Sequence, residues 1–316
     1  MGFALGGVFL YLAARHISAA EFLNVLASAK GGWLTLGLGI YWLELGVMVV
    51  RWSTLLSIAD KKVMPSRTTA AFIIGYAANN VLPARLGELV RVDLIGRMTA
   101  LSRMAALGTV VVERALDVLV LLLAAGIGMG LLVLPNTGDL TLLRGSMWLL
   151  GSVCVLLLIA GVFFVRTRIS SRWHLSPLMR SRLRNLLSAV HVLSDPAKCA
   201  RLLGLSLLIW ALNGMALWLI VFALGITLTF LQTMLLLGVA GLSAILPAPP
   251  AGLGVLQYAF TLVFGLLRKP SVIGLAASAT VQVVLLGSVT LVGALLFFAV
   301  VIPLSARRRR RMDESL

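Results

Sequence analysis

Charge is scarce in this 316-residue chain, and acidic charge scarcer still: 12% of its residues are Asp, Glu, Lys or Arg, and 11 acids stand against 27 bases. Soluble domains carry about 25% charged and about 45–50% apolar residues. Here 60% are hydrophobic and the mean hydropathy is +1.04, which excludes an ordinary soluble domain. No polar segment is large enough to form a nucleic-acid-binding domain, so the formal charge of +16 reports topology and contact with anionic lipid, and no nucleic-acid partner is expected. Histidine and cysteine are also rare. His16, His174 and His191 are scattered without ligand-like spacing, so neither a metal nor a cofactor is expected, and Cys154 and Cys199 read as free thiols in separate apolar stretches. No basic segment precedes the first apolar run, which starts at Gly2, so it reads as an anchored helix instead of a cleaved signal.

What is present is an all-α polytopic membrane protein forming a single integral membrane domain over 1–316. Apolar runs at 31–53, 104–134, 144–165, 200–224 and 272–302 are each long enough to cross a bilayer at roughly 20 residues per span, and with the short first helix they predict six full spans. Two further apolar regions, 68–82 and 231–246, stop after about 15 residues at a Leu-Pro-Ala tripeptide. At about 1.5 Å per residue they reach only mid-membrane. Basic residues place Lys61, Lys62 and Arg67, the central loop and the tail Arg307 to Arg311 on one side, taken as cytoplasmic. The topology then closes only if both short regions are re-entrant hairpins, broken at Pro83 and Gly87 and at Pro247 and Pro250. Residues 1–135 and 144–303 become two inverted repeats, an architecture common among secondary transporters. A cytoplasmic amphipathic connector is predicted over 167–199, a weaker amphipathic helix over 18–29, and a basic cytoplasmic tail over 304–316. Both termini are expected on the cytoplasmic side of the plasma membrane.

Irregular backbone at membrane depth survives only inside protein or beside a wet cavity. The stretch NNVLPARLGELVR, residues 79–91, therefore predicts a cavity at the first break. Arg85, Glu88 and Arg91 follow at i, i+3 and i+6, which predicts one charged helix face, and Asn80 precedes the break. In the next span Glu113, Arg114 and Asp117 form a second cluster, predicted as a buried ion-pair network. Arg or Asp at a helix centre costs about 2.5–3.5 kcal/mol to insert, so these groups must pair or be hydrated. Arg85, Glu88, Arg91 and Asn80 are the expected head-group residues, with one or two of the arginines left free to grip an anion, a task suited to the bidentate guanidinium. The alternative is that Arg85, Glu88 and Arg114 with the acids form a structural network, and Arg114 is expected to brace the fold. At the second break, Gly252 and Gly254 open a helix whose N–H groups suit an anion, with Gln257 as the polar side chain there. Arg51 and Trp52 read as an interfacial anchor with Arg51 within reach of the cavity, and Gly126 with Gly130 as a GxxxG helix-packing pair.

Three motifs in order, N-x-L-P-A-R-x-G-E-x-x-R at 80–91, E-R-x-x-D at 113–117 and L-P-x-x-P-x-G-L-G-V at 246–255, resemble the lysylphosphatidylglycerol synthase transmembrane-region family, also called flippase-like or UPF0104 proteins. The resemblance implies a membrane domain that moves lipids between leaflets. In its best-known members a soluble synthase domain follows; this sequence ends at Leu316, so aminoacyl transfer is not expected. One departure is Gln257, where the family pattern commonly has an acid. The function expected is a translocator of an anionic or head-group-modified lipid, or a lipid-linked intermediate, through a central hydrated cavity. No catalytic motif is found; the alternative is a membrane enzyme or an accessory subunit for lipid-linked sugar or phospholipid synthesis. Membrane lipids are the expected partners, with a lipid-synthesis enzyme or a second copy of the chain left open.

Overall fold

The computed structural model describes residues 2–15, 17–59, 64–132, 195–244 and 249–301, together with isolated positions between 134 and 182 and at 303. The expected span at 144–165, nearly all of the 167–199 connector, the tail and Pro247 lie outside the described residues. Among the described residues there is no strand. The elements are α1 (Gly2–Ala14), α2 (Ala19–Ala27), α3 (Gly31–Ala59), α4 (Pro65–Val81), α5 (Gly87–Met98), α6 (Arg103–Leu131), α7 (Pro196–Ala223), α8 (Phe230–Ser243), α9 (Val255–Leu266) and α10 (Ser271–Val301). Three of these, Gly31–Ser57 within α3, α7 and α10, are long and apolar enough to cross a membrane. Helix α6 has the length, 29 residues, but carries Glu113, Arg114 and Asp117.

Local chemistry starts the helices where the sequence allows. Ser18, Ser102 and Asp195 accept backbone N–H groups at the starts of α2, α6 and α7, and Thr229 forms a capping box with Gln232 at α8. Proline opens α4 at Pro65 and α7 at Pro196, where its missing N–H is no loss. Helix α4 ends because Leu82, preceding Pro83, is extended at ψ 143°. A single 3₁₀ turn, Pro83–Arg85, then leads into α5, and a matching turn, Pro250–Gly252, leads into α9. The two turns share more than their proline. Ala84 and Ala251 both adopt the left-handed region, at φ 53° and 55°, and so do Arg85 and Gly252 at 56° and 68°. The turns match over Pro83–Arg85 and Pro250–Gly252, three residues beyond the Leu-Pro-Ala correspondence that the sequence suggested, and diverge at the next residue, where Leu86 is helical and Leu253 extended.

The helices pack in matching sets. Helix α3 lies along α7, α6 along α8, and α10 along α4, while α4 packs on α5, α9 on α8 and α10, and α1 on α9. The α3–α7 pair is antiparallel: the Lys30 N–H donates to the Ala223 carbonyl at one end, and Arg51 donates to Ser206 toward the other. Helices α6 and α8 are also antiparallel, with Gly238 against Ala125 and Gly128 against Leu235. The contact glycine of α6 on α8 is Gly128; among the described residues nothing approaches Gly126 or Gly130, the pair expected to pack. Helix α10 meets α4 antiparallel through Gly293 on Ala77 and through Thr290 near Asn80. Helix α2 buries none of its residues and lies against α10. Outward positions such as Leu43, Val111, Leu123, Val283 and Leu291 are exposed, an apolar surface that hydrocarbon accepts and water penalises.

The first hairpin is closed by glycine. A Cβ on Gly75 would sit 2.5 Å from the Arg91 Cβ and 2.8 Å from the Gly87 carbonyl oxygen, so α4 and α5 touch backbone to backbone. Gly75→Ala is expected to destabilise the detergent-solubilised protein by about 1–3 kcal/mol through overpacking. Gly126→Ala, facing open space, should leave the unfolding temperature unchanged or slightly raised. Thermal unfolding of the pair checks both; equal behaviour would contradict the close contact.

Candidate functional site

Four arginines and three carboxylates form one continuous ladder through the helix bundle. Arg91 pairs with Glu113 at 2.7 Å, and Glu113 lies 3.6 Å from Arg51. Arg51 makes a two-pronged contact with Asp117 at 2.7 and 3.3 Å and donates to Ser206 at 2.9 Å. Asp117 also accepts from Trp210 Nε1 at 3.1 Å and pairs with Arg114 at 3.1 Å. Arg114 lies 3.5 Å from Glu88, and Glu88 lies 3.6 Å from Arg85. Positive and negative groups alternate along the whole series, from α5 through α6 and α3 and back to the first tip.

The ladder is dry at one end and open at the other. Arg51, Arg91, Glu113 and Asp117 are all buried, and the Arg91 guanidinium lies 4.6 Å from the Trp52 ring and 5.0 Å from Phe72, an aromatic cradle that covers its face. Arg85 and Arg114 keep 31% and 33% of their side chains exposed. They face a cavity of about 210 Å³ between the two tips, whose walls include Tyr41, Glu44, Tyr76, Asn80, Glu88 and Asn213 and, from the second tip, Ala251 and Gly252.

Each expected site residue can now be placed. Arg85, Glu88, Arg91, Asn80, Arg114, Asp117 and Gly252 line the cavity. Helical spacing does not govern Arg85, which belongs to the left-handed turn before α5, and of the two cavity-lining residues on α5 Arg91 is buried while Glu88 keeps 18% of its side chain exposed. Arg114, expected as a buried brace, is the more exposed guanidinium, and of the two arginines expected at the head group Arg85 is open while Arg91 is buried and paired with Glu113. Asn80 Nδ2 donates to the Leu286 carbonyl and to Thr290 Oγ1, tying the first tip to α10. Gln257 does not line the cavity. It is 4% exposed, its Oε1 caps the Gly254 N–H at 2.7 Å and its Nε2 donates to Gln282 at 2.5 Å, so both of its polar atoms are used in holding the second tip. Pro83, Gly87 and Pro250 sit at the breaks as expected.

Arg51 and Trp52 are 1% and 0% exposed, which overturns the interfacial-anchor reading: Arg51 is the centre of the ladder and Trp52 donates to Thr109 at 3.0 Å. Glu44, Ser206, Trp210 and Asn213 were not singled out in the sequence. Glu44 and Arg51 stand seven residues apart, two turns on one face of an apolar run, and a charged pair so placed inside a span was the available signal. Arg97 and Arg103 pair with Asp93 at the exposed far end of α5 and take no part. Among the described residues there is no group of His, Cys, Asp or Glu that could hold a metal ion.

These features define a helical membrane protein with a charged, partly open cavity between two broken-helix tips. The family described as the lysylphosphatidylglycerol synthase TM region matches residues 1–312, and the chain belongs to that family. A UPF0104 membrane protein of Methanothermobacter thermautotrophicus is 24% identical over 268 residues, covering 76% of this chain and 77% of the relative.

Removing the centre of the ladder should cost the most stability. Arg51→Met leaves Glu113 and Asp117 short of a buried partner and is expected to cost about 3–5 kcal/mol. Arg85→Ala, at the open end, should cost under about 1 kcal/mol. Folded yield and thermal unfolding in detergent read the difference; a stable Arg51→Met protein would remove the ladder from the account of folding.

Proposed function

We propose that the protein is a lipid translocator that carries an anionic or head-group-modified lipid, or a lipid-linked intermediate, between the leaflets of the cytoplasmic membrane. The observation that carries this reading is the open end of the ladder, where Arg85 and Arg114, each about one-third exposed, present guanidinium edges to the cavity and share Glu88 at 3.6 and 3.5 Å, with Arg114 held from behind by Asp117 at 3.1 Å. The distances to Glu88 are long for charge-assisted hydrogen bonds, so both guanidiniums have donors to offer. A phosphate group can take them without dismantling Arg51, Arg91, Glu113 and Asp117 behind. The head group then sits in the cavity and the acyl chains stay along the apolar outer faces.

In this reading the two hairpins are re-entrant and the two halves are inverted repeats, with both termini cytoplasmic. Three observations support it: the equivalent left-handed turns at Ala84 and Ala251, the antiparallel run of the counterpart helices α3 and α7, and the reciprocal clasping of α8 by α6 and of α4 by α10. Rocking of one repeat on the other changes the side from which the cavity is reached.

The double variant Arg85→Gln, Arg114→Gln tests the proposal in reconstituted vesicles carrying fluorescent phosphatidylglycerol, with leaflet-selective quenching as the readout. A hydrogen bond to a charged group is worth about 1.5–3 kcal/mol, so loss of both should slow translocation by at least tenfold while the unfolding temperature stays near that of the parent. Full activity in the folded double variant would overturn the head-group role.

A further inference from the structure

The ladder leaves one buried acid unaccounted for. Glu44 is 0% exposed and stands in the cavity wall, yet among the described residues no arginine, lysine or histidine comes within ion-pair distance of it. Its neighbour two turns along α3, Arg51, is committed to Asp117 and Glu113. Among the described residues the one donor to Glu44 is Asn213 Nδ2 from α7, at 3.1 and 3.0 Å from its two oxygens. The other ionisable groups that face it are Tyr41 and Arg51 on its own helix, Tyr76 from α4 and Asp117 from α6; two of these are neutral and one repels it. The α10 segment that touches α3 carries only Gln282 as a polar side chain between 281 and 286.

A buried carboxylate with one neutral donor is expensive, and neutralisation removes the expense. A metal cation is a poor neutraliser here, since hard cations want about six oxygens and the described residues offer no such group. A proton needs only one oxygen. Asn213 serves both states: its amino group bonds a carboxylate, and with the amide turned over its carbonyl accepts from a carboxyl O–H while the amino group donates to the other oxygen.

Charge counting shows what the proton would do. The ladder sums four guanidiniums and three carboxylates to one positive charge, and an ionised Glu44 cancels it. We propose that Glu44 is a proton-binding site whose occupancy sets the net charge of the cavity, so that a proton and an anionic head group bind together and leave together. The proton comes from water onto a Glu44 carboxylate oxygen as the anion enters and returns to water as the anion leaves. Linkage requires that each raise the affinity of the other by the same factor. This proposal rests on the head-group reading above.

The test uses the full chain in detergent, titrated with short-chain phosphatidylglycerol and, as control, phosphatidylcholine. In weakly buffered solution, at a pH where the ligand-free parent has lost its carboxylic-acid carbonyl band, the protein should take up close to one proton per phosphatidylglycerol bound; no uptake on binding there would overturn the proposal without any variant. Its affinity should fall as pH rises, by up to about tenfold per pH unit, since one unit changes proton occupancy by that ratio. Glu44→Gln should bind with the acid-form affinity at every pH, and its infrared spectrum should lack a carboxylic-acid carbonyl band present in the parent. An unchanged pH dependence in Glu44→Gln would overturn the assignment to this residue. Absence of phosphatidylglycerol binding at every pH in both proteins would overturn the head-group reading and the cooperativity with it, whereas the infrared band decides separately whether Glu44 holds a proton.

Discussion

A guanidinium cannot shed its proton to escape a dry environment, so every buried arginine obliges the fold to bring a carboxylate to it. Among the described residues Arg51 and Arg91 are the two buried arginines, and they dictate much of the helix arrangement. Arg51 on α3 needs Glu113 and Asp117 on α6 and takes Ser206 on α7, which holds three long helices at one level. Arg91 on α5 needs Glu113 as well, and that requirement draws the first hairpin against α6. Because one carboxylate serves two arginines at several steps, the groups satisfy one another in series. The series ends where water or a ligand can complete it, at Arg85 and Arg114.

The class of protein, the two breaks and the clusters around 85–91 and 113–117 were legible because each rests on local chemistry. Proline and glycine stop a helix wherever they stand, and charge in an apolar run is visible without a partner. Pairing was less legible. Arg51 looks the same in sequence whether it reaches for the membrane surface or for Asp117, 66 positions away. The placement of Arg91 and Arg114 has the same origin: which side of a helix faces inward depended on Arg51 of α3, which was read as reaching the cavity but not as the partner of Glu113 and Asp117. Arg85 lies at the cavity as expected but off the helix face, since the left-handed turn removes it from the helix. Glu44 went unnoticed because a single carboxylate in a long apolar run has no motif around it.

The two tips solve one backbone problem by different means. At the first, a left-handed arginine, Arg85, places a charged side chain at the cavity, and Asn80 anchors the turn. At the second, Gly252 occupies the equivalent left-handed position without a side chain, and the Gln257–Gln282 pair does the anchoring. Both anchors end on the same stretch of α10: Gln282 donates to the Ala251 carbonyl, and the Leu286 carbonyl accepts from Asn80. That stretch, Val281–Leu286, is wound as a π-helix, whose wider turn releases carbonyls from their usual partners. A single irregular segment therefore holds both tips. The charged tip and the uncharged tip are in this way one mechanical unit, with the cavity and its open guanidiniums between them.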